Sequence, residues 1–461
     1  MSRGRIVTYF LIGLAAAILL WGVSGRFSPT PPAPPVKTGA NRFTIPVGEA
    51  AAHPRGAVDY ARLDERLNRL MRDRAMVGLA VGVVEDGQIR FLKGYGVTQA
   101  GGSEPVTPGT VFRWASLSKG VAADMVARLA ADGRLSLDEP VSRHASSLRL
   151  PDGYEHRATV ADLLSHTLGL FAHAEDPKLE EGMDPRILRG GLVTAHNICA
   201  PGTCHAYQNV AYDAASEIVE RVTGKPYGQV LRERLFAPLG MTSASASRAE
   251  LMASPSWARG HVGGNPQSFE ISEAYYRVPA AGGVNGSIQD LAIWMLAQMG
   301  MAPDVLPPQV LAAVQRARVN TPGETRRRRR FHERTPSSQY GLGWRIFDYA
   351  GHRVVGHHGG VRGYRALILF DPQRRAGVVV LWNSASGRPN GIEYEVMDMV
   401  YGLPSRDWLM LDTPREEPAP GALDVEAETA RSEGRRVERR LPVGEPRERR
   451  RPGQLRERRA P

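Results

Sequence analysis

Cysteine is almost absent: Cys199 and Cys204 are the only two in 461 residues, which excludes a fold stapled by a disulfide framework. No spaced pair of histidines accompanies them, so a metal site built on these thiols is disfavoured. Lysine is nearly as scarce, at five of the 59 basic residues. Arginine supplies the rest and cannot release its proton in a protein, so among these 59 residues only the few lysines can serve as bases. No internal repeat is visible. No cysteine follows the apolar run near the N-terminus, which argues against a lipid-modified end.

The basic excess is not a nucleic-acid signature either. The formal net charge is +11, yet its sources lie largely outside the sequence expected to form a core. Residues 326–330 are five consecutive arginines in an expected loop. Residues 435–461 carry 11 arginines against four glutamates with almost nothing apolar. Such stretches cannot bury enough surface to fold. They read as solvated segments, with contact to anionic lipid or an acidic envelope polymer as the alternative. No nucleic-acid partner is expected.

A hydrophobic fraction of 42% supports a substantial core. At the N-terminus, Arg3 and Arg5 precede an apolar run from Ile6 to Val23, long enough at helical rise to cross most of a bilayer. Residues 1–25 therefore read as a single-pass inner-membrane anchor, with a periplasmic protein released by cleavage at Val23-Ser24-Gly25 as the alternative. Residues 26–55 form a linker whose Pro-Thr-Pro-Pro-Ala-Pro-Pro run is a stiff spacer. Residues 56–403 should fold, and residues 404–461 form an arginine-rich disordered tail. In an exported protein Cys199 and Cys204 can close a disulfide, whose short loop adds about 2 kcal/mol and mainly pins local geometry. Two free thiols are the alternative.

Within the folding segment, residues 58–72 have helical periodicity. Val77 to Val84 and Ile89 to Tyr95 read as a hairpin across Glu85-Asp86-Gly87-Gln88. Residues 140–300 are mainly helical. Sheet character returns in Gly341 to Phe347, Arg353 to His357, Tyr364 to Phe370 and Val378 to Trp382, before a short helix up to Tyr401. The pattern implies an α/β (α+β) fold. One antiparallel sheet is built from the N- and C-terminal segments with flanking helices, a mainly helical domain is inserted, and the active site lies in the cleft between them.

Ser116 and Lys119 stand three residues apart at the start of a helix that ends at Gly133. One helical turn puts them on one face, so a neutral lysine amine could take the serine proton. Burial beside an apolar helix favours that neutral amine. Tyr207 and Asn209 follow Pro201-Gly202-Thr203 in an expected loop, one offering a phenol as proton carrier and the other an amide. Gly356-His357-His358-Gly359-Gly360 would let a substrate approach the backbone closely.

These blocks occur in order with Leu163-Leu164-Ser165-His166-Thr167, Thr223-Gly224-Lys225-Pro226-Tyr227 and Pro238-Leu239-Gly240-Met241. Together, over roughly residues 60 to 400, the chain resembles the serine β-lactamase and penicillin-binding protein-like hydrolases. The branch is that of class C β-lactamases, D-Ala-D-Ala carboxypeptidases and related esterases. The resemblance implies Ser116 as nucleophile, Lys119 as its proton partner, Tyr207 as general base or shuttle, and Asn209 at the substrate amide. It implies His357-His358-Gly359 in place of the Lys-Thr-Gly of many relatives, with His357 and Gly359 binding substrate. The backbone N–H groups of Ser116 and Gly360 would form the oxyanion hole. A lysine at 357 would supply a fixed charge for a substrate carboxylate, which a largely neutral histidine does not.

The implied activity is hydrolysis of a small-molecule or peptide substrate through an acyl-enzyme, with no metal or organic cofactor. An esterase or peptidase ranks first, a D-Ala-D-Ala carboxypeptidase or endopeptidase second and a β-lactamase third. A non-catalytic periplasmic ligand sensor is the reading from another class. The charge asymmetry around the apolar run gives a topological test: alkaline phosphatase fused at residue 40 should be active. An inactive phosphatase fusion with an active β-galactosidase fusion at the same point would put the domain in the cytoplasm.

Overall fold

Strand sequences that are apolar on both faces bring the two ends of the folding segment into one sheet. The computed structural model describes Phe43 and residues 56–412. The expected membrane segment, the linker apart from Phe43, and the chain beyond residue 412 lie outside the described residues. Among the described residues no helix is long and apolar enough to cross a membrane.

The sheet has eight strands: β1 (Gly78–Glu85), β2 (Gln88–Gly96), β3 (Val319–Asn320), β4 (Ser338–Tyr340), β5 (Arg345–Tyr349), β6 (His352–Val361), β7 (Tyr364–Asp371) and β8 (Ala376–Trp382). Their spatial order is β2-β1-β8-β7-β6-β5-β4-β3, antiparallel throughout. The β1–β2 connection is the two-residue turn Asp86-Gly87, with φ of +52° and +71°. Two consecutive positive φ values match the twist of a hairpin and favour glycine at the second position. β1 and β8 are buried along their whole length and pair with Val81 opposite Val380.

The main helices are α1 (Tyr60–Leu70), α2 (Ser118–Ala131), α3 (Ala214–Thr223), α4 (Ile288–Leu296), α5 (Pro308–Gln315) and α6 (Ile392–Tyr401). Side chains alternate across the sheet. Val81, Val83, Val378 and Val380 pack with Leu63 and Leu67 of α1 and with Ile392 and Val396 of α6. Ala80, Val84, Val379 and Leu381 belong to the core that holds Ile288 and Leu291 of α4 and Val121 and Met125 of α2. The helical segment between β2 and β3 thus meets one face, where α2 carries Lys119 in its first turn and Ser116 lies in the turn just before it.

Three expectations change. The strand expected from Gly341 begins instead at Arg345, because Gly341 N–H bonds the Trp344 carbonyl and closes a turn. The strand expected to stop at His357 runs on to Val361, so the His357–Gly360 segment lies within a strand. The domain also continues past residue 403: Trp408 and Leu409 are buried, and Arg66 of α1 donates to Glu395 and Asp407. A buried arginine needs such acids to offset its lost hydration, and Asp407 supplies one from beyond the expected boundary.

The arginine run is corrected as well. Arg326 and Arg327 end a short helix, Pro322–Arg327, and the Arg328 side chain is only 13% exposed. It donates to the Tyr394 hydroxyl at 2.9 Å. It lies near Glu324 and Glu393, with its guanidinium 5.0 Å from the Phe347 ring centroid. Two acids and an aromatic face give a buried cation the partners that a polyarginine loop would lack.

Asp124 on α2 is fully buried and accepts from Trp294 Nε1 at 2.8 Å and Gln298 Nε2 at 2.6 Å. Burial pushes its carboxyl up to about 7 despite those donors. The folded carboxyl therefore keeps its proton in a range where the unfolded chain has released it, so stability falls as pH rises between about 4 and 7. Asp124→Asn removes that titration. The variant should gain on the wild type by roughly 2 to 3 kcal/mol in urea unfolding between pH 5 and 8. A constant difference across that range would reject the assignment.

Candidate active site

Ser116 is half-buried in a 3₁₀ turn, Ala115–Leu117, that leads directly into α2. Ala115 has φ +49°, a strained conformation for a residue with a Cβ. Several contacts hold the turn in place. Trp114 N–H bonds the Val284 carbonyl. The Ser118 hydroxyl donates to the Ala115 carbonyl at 2.6 Å and accepts from Val284 N–H at 2.9 Å. Gly359 of β6 faces this turn so closely that a Cβ there would lie 2.3 Å from the Trp114 carbonyl oxygen. Only glycine lets the strand approach the nucleophile turn this closely.

Lys119 is fully buried. Its Nζ lies 3.4 Å from Ser116 Oγ, 2.6 Å from Asn209 Oδ1 and 2.9 Å from the Ala281 carbonyl. Burial is the main cause that brings the amine down to about 7. The Asp176 charge opposes the fall, Arg345 adds to it, and Asp213 opposes it. The pair expected from the i, i+3 spacing is therefore brought together, and the lysine sits where its neutral form is populated near neutrality.

Tyr207 lies over the same amine, with its ring centroid 4.7 Å from Lys119 Nζ. Its loop is fixed from several sides. Cys199 and Cys204 form a disulfide with Cα atoms 6.3 Å apart, and the bridged loop and its flanks hydrogen-bond back to the His166–Gly169 stretch through Ile198, Gly202 and Ala206. His166, at 1% exposure, accepts from Gln208 N–H through Nδ1 at 3.1 Å and packs 4.3 Å from the Tyr207 ring. Burial holds its imidazole well below the usual range, hence neutral.

Two residues expected to contact substrate are buried and hydrogen-bonded within the protein. Asn209 is 6% exposed, and its amide is shared between Lys119 and Asp176 Oδ2, the latter at 2.6 Å. It orients the lysine rather than presenting an open group. His357 is 1% exposed, and both of its ring nitrogens are engaged. Nδ1 meets the His358 carbonyl at 2.7 Å and must donate there, which leaves Nε2 to accept from the Tyr340 hydroxyl at 2.9 Å. Burial, then the Arg345 charge, then Lys119, keeps this imidazole well below its usual range. The side chain expected to bind substrate therefore supports Tyr340. Gly360 lies next to Gly359 on β6, opposite Arg365 of β7.

Sequence reasoning missed Asp176, Tyr340, Arg345 and the Ala281 carbonyl. Arg345 projects from β5, pairs with Glu324 at 2.6 Å, and lies 5.8 Å from the Tyr207 ring. None of these residues has a diagnostic spacing from Ser116, and only folding brings them to it. Ser165-His166-Thr167 was visible as a block, but nothing in its sequence reveals that the histidine supports the Tyr207 loop. Among the described residues no group of three or more His, Cys, Asp or Glu could hold a metal.

Comparison with known proteins bears on this geometry. The chain is 30% identical over 325 residues to the unguisins hydrolase ungD' of Aspergillus campestris, covering 67% of this chain and 58% of that protein. It is 33% identical over 206 residues to the esterase EstB of Burkholderia gladioli, covering 41% and 52%. The chain thus spans a little over half the length of these two relatives. In structure it is similar to the octameric penicillin-binding protein homologue from Pyrococcus abyssi, with a TM-score of 0.66 at 24% identity over 75% of this chain and 78% of that one. That likeness is one of fold. The family profile described as Beta-lactamase matches residues 63–397, a span that takes in the Ser116 turn, the Tyr207 loop and the β6 glycines, and the chain therefore belongs to the Beta-lactamase family.

Proposed function

We propose that the protein is an exported serine hydrolase that cleaves an ester or amide through an acyl-enzyme at Ser116. The observation that carries this reading is the buried Lys119 amine, 3.4 Å from Ser116 Oγ and brought down to about 7. As Oγ attacks the substrate carbonyl, the neutral amine accepts its proton. The Ser116 and Gly360 N–H groups are the assigned donors to the oxyanion; each such donor is worth about 3 kcal/mol of barrier. The Tyr207 phenol, beside Lys119, passes the proton to the leaving group, and water then releases the acyl group.

Esters rank above carboxylated peptides and β-lactams because the side chain that would read a carboxylate, His357, is buried and neutral. A lysine there would add a further cation beside Lys119 and Arg345 and could not accept the Tyr340 hydroxyl hydrogen. The similarity to an esterase agrees with this ranking. Export and tethering rest on the apolar run after Arg3 and Arg5, and a disulfide at Cys199–Cys204 fits an oxidising compartment. A ligand sensor would bind without turnover.

Fluorophosphonate labelling followed by intact-mass measurement tests the nucleophile. Ser116→Ala should abolish labelling. Ser118→Ala should label but lose about 1 to 3 kcal/mol of stability, because the buried Val284 N–H loses its acceptor. Labelling that survives Ser116→Ala would reject the assignment. Lys119→Arg should lower the labelling rate by about 10²-fold or more, since arginine keeps the charge but cannot act as a base. In the wild type the rate should rise with pH through about 7, as the ammonium loses its proton. A near-normal rate in the arginine variant, or a wild-type rate flat from pH 5.5 to 8.5, would show that Lys119 is not the base.

A further inference from the structure

A neutral lysine amine has two N–H donors and one lone pair. Asn209 Oδ1 at 2.6 Å and the Ala281 carbonyl at 2.9 Å can occupy both donors, which leaves the lone pair for Ser116 Oγ at 3.4 Å. This arrangement holds only while Asn209 presents its oxygen. With the amide reversed, its NH₂ would donate into the lysine lone pair and remove the base from Ser116. An amide has no intrinsic preference between the two orientations, so the choice must come from its other neighbour.

That neighbour is Asp176. Its Oδ2 accepts from Asn209 Nδ2 at 2.6 Å, and a carboxylate is an acceptor only. Reversing the amide would set oxygen against oxygen there. Asp176 is 6% exposed and begins a helical turn, Asp176–Glu180. Two left-handed residues precede it, His173 with φ +60° and Glu175 with φ +66°. His173 links it to the Tyr207 loop, its Nδ1 meeting Asp176 Oδ2 at 2.8 Å and its own backbone N–H donating to the Tyr207 carbonyl at 2.8 Å. The other carboxylate oxygen, Oδ1, is buried with no hydrogen-bond partner. That is a costly arrangement for an acid whose only task is packing.

We propose that Asp176 is a positioning residue that fixes which end of the Asn209 amide faces Lys119 and so keeps the lysine lone pair on Ser116. The inference rests on the hydrolase reading of this site and extends it. The charged and titratable groups around the amine are Asp176 and Asp213, which favour its proton, and Arg345, which opposes it. The Tyr207 and Tyr212 rings lie 4.7 and 5.5 Å away, and the buried His166 and His357 also feel its charge. Asp176 is first among the charged groups, so its removal acts on the base as well as on the amide.

The test uses the full chain and two variants. Asp176→Asn keeps the shape, removes the charge and admits a donor opposite Asn209. Asp176→Leu removes the acceptor altogether. The chain has only five lysines, so Lys119 can be followed by NMR of lysine labelled at the side-chain carbon, with Lys119→Ala to assign the signal. In Asp176→Asn, Lys119 should titrate at lower pH, and the acid limb of fluorophosphonate labelling should move down with it. The plateau rate should drop by about fivefold to tenfold, the equivalent of one hydrogen bond. Asp176→Leu should fall by about 10²-fold, close to loss of the base, with KM for a neutral nitrophenyl ester unchanged. An unmoved Lys119 titration in the folded Asp176→Asn variant would overturn the proposal, as would Asp176→Leu labelling within about twofold of wild type. If the wild type fails to label, the hydrolase reading falls, while an unmoved Lys119 titration in Asp176→Asn would still reject any action of Asp176 on the amine.

Discussion

Taking one lysine ammonium out of water is the constraint on which the site depends. At the usual lysine pKa only about one amine in several thousand is neutral at pH 7, and such a population makes a poor base. Burial of Lys119 brings the value to about 7. That shift holds only if the atoms touching the amine do not restore the ammonium. The acceptors at Nζ are accordingly neutral, a carboxamide and a peptide carbonyl. Asp176 stands one residue further out, behind Asn209. Asp213 is held by Arg189 at 2.8 Å and by the Ala280 N–H. Contact with either carboxylate would return the proton to the lysine.

The side chains packed around the amine follow the same logic. His166, Tyr207, Tyr212, Tyr340 and His357 pack around the amine and one another. Burial keeps both imidazoles neutral, so the wall adds no further positive charge. Arg345 is the fixed cation among the groups that shape Lys119, and Glu324 partly balances it. The disulfide and the backbone bonds from the His166–Gly169 stretch hold the Tyr207 loop to this wall. Precision here matters, because a misplaced acceptor would redirect the lysine lone pair.

The described arginines divide by partner rather than by position in the sequence. Arg66 sits at 4% exposure because Glu395 and Asp407 close around it. Arg328 is drawn in from a run of five by Glu324, Glu393 and Tyr394. Charge density along the chain describes what would be solvated if nothing else intervened. Acids arriving from distant elements decide which arginines can be buried.

Sequence alone determined the hairpin, the return of strands after the helical segment, the Ser116–Lys119 pair and the order of blocks that marks the family. Each of these is local: a period of two, one turn of helix, a short run of residue types. Folding decided what depends on proximity between distant segments. Ala281 reaches Lys119, and Asp176 reaches Asn209 behind it, from far along the chain, and no spacing in the sequence encodes that approach. The continuation of β6 through Gly359 was set by its partner strand and by the Trp114 carbonyl against it. His357 was legible as a residue type at the right place, but its role was not. A histidine on an open surface would bind a ligand, and the same histidine under Tyr340 holds a neighbour, because burial fixes both its charge and its hydrogen-bond partners.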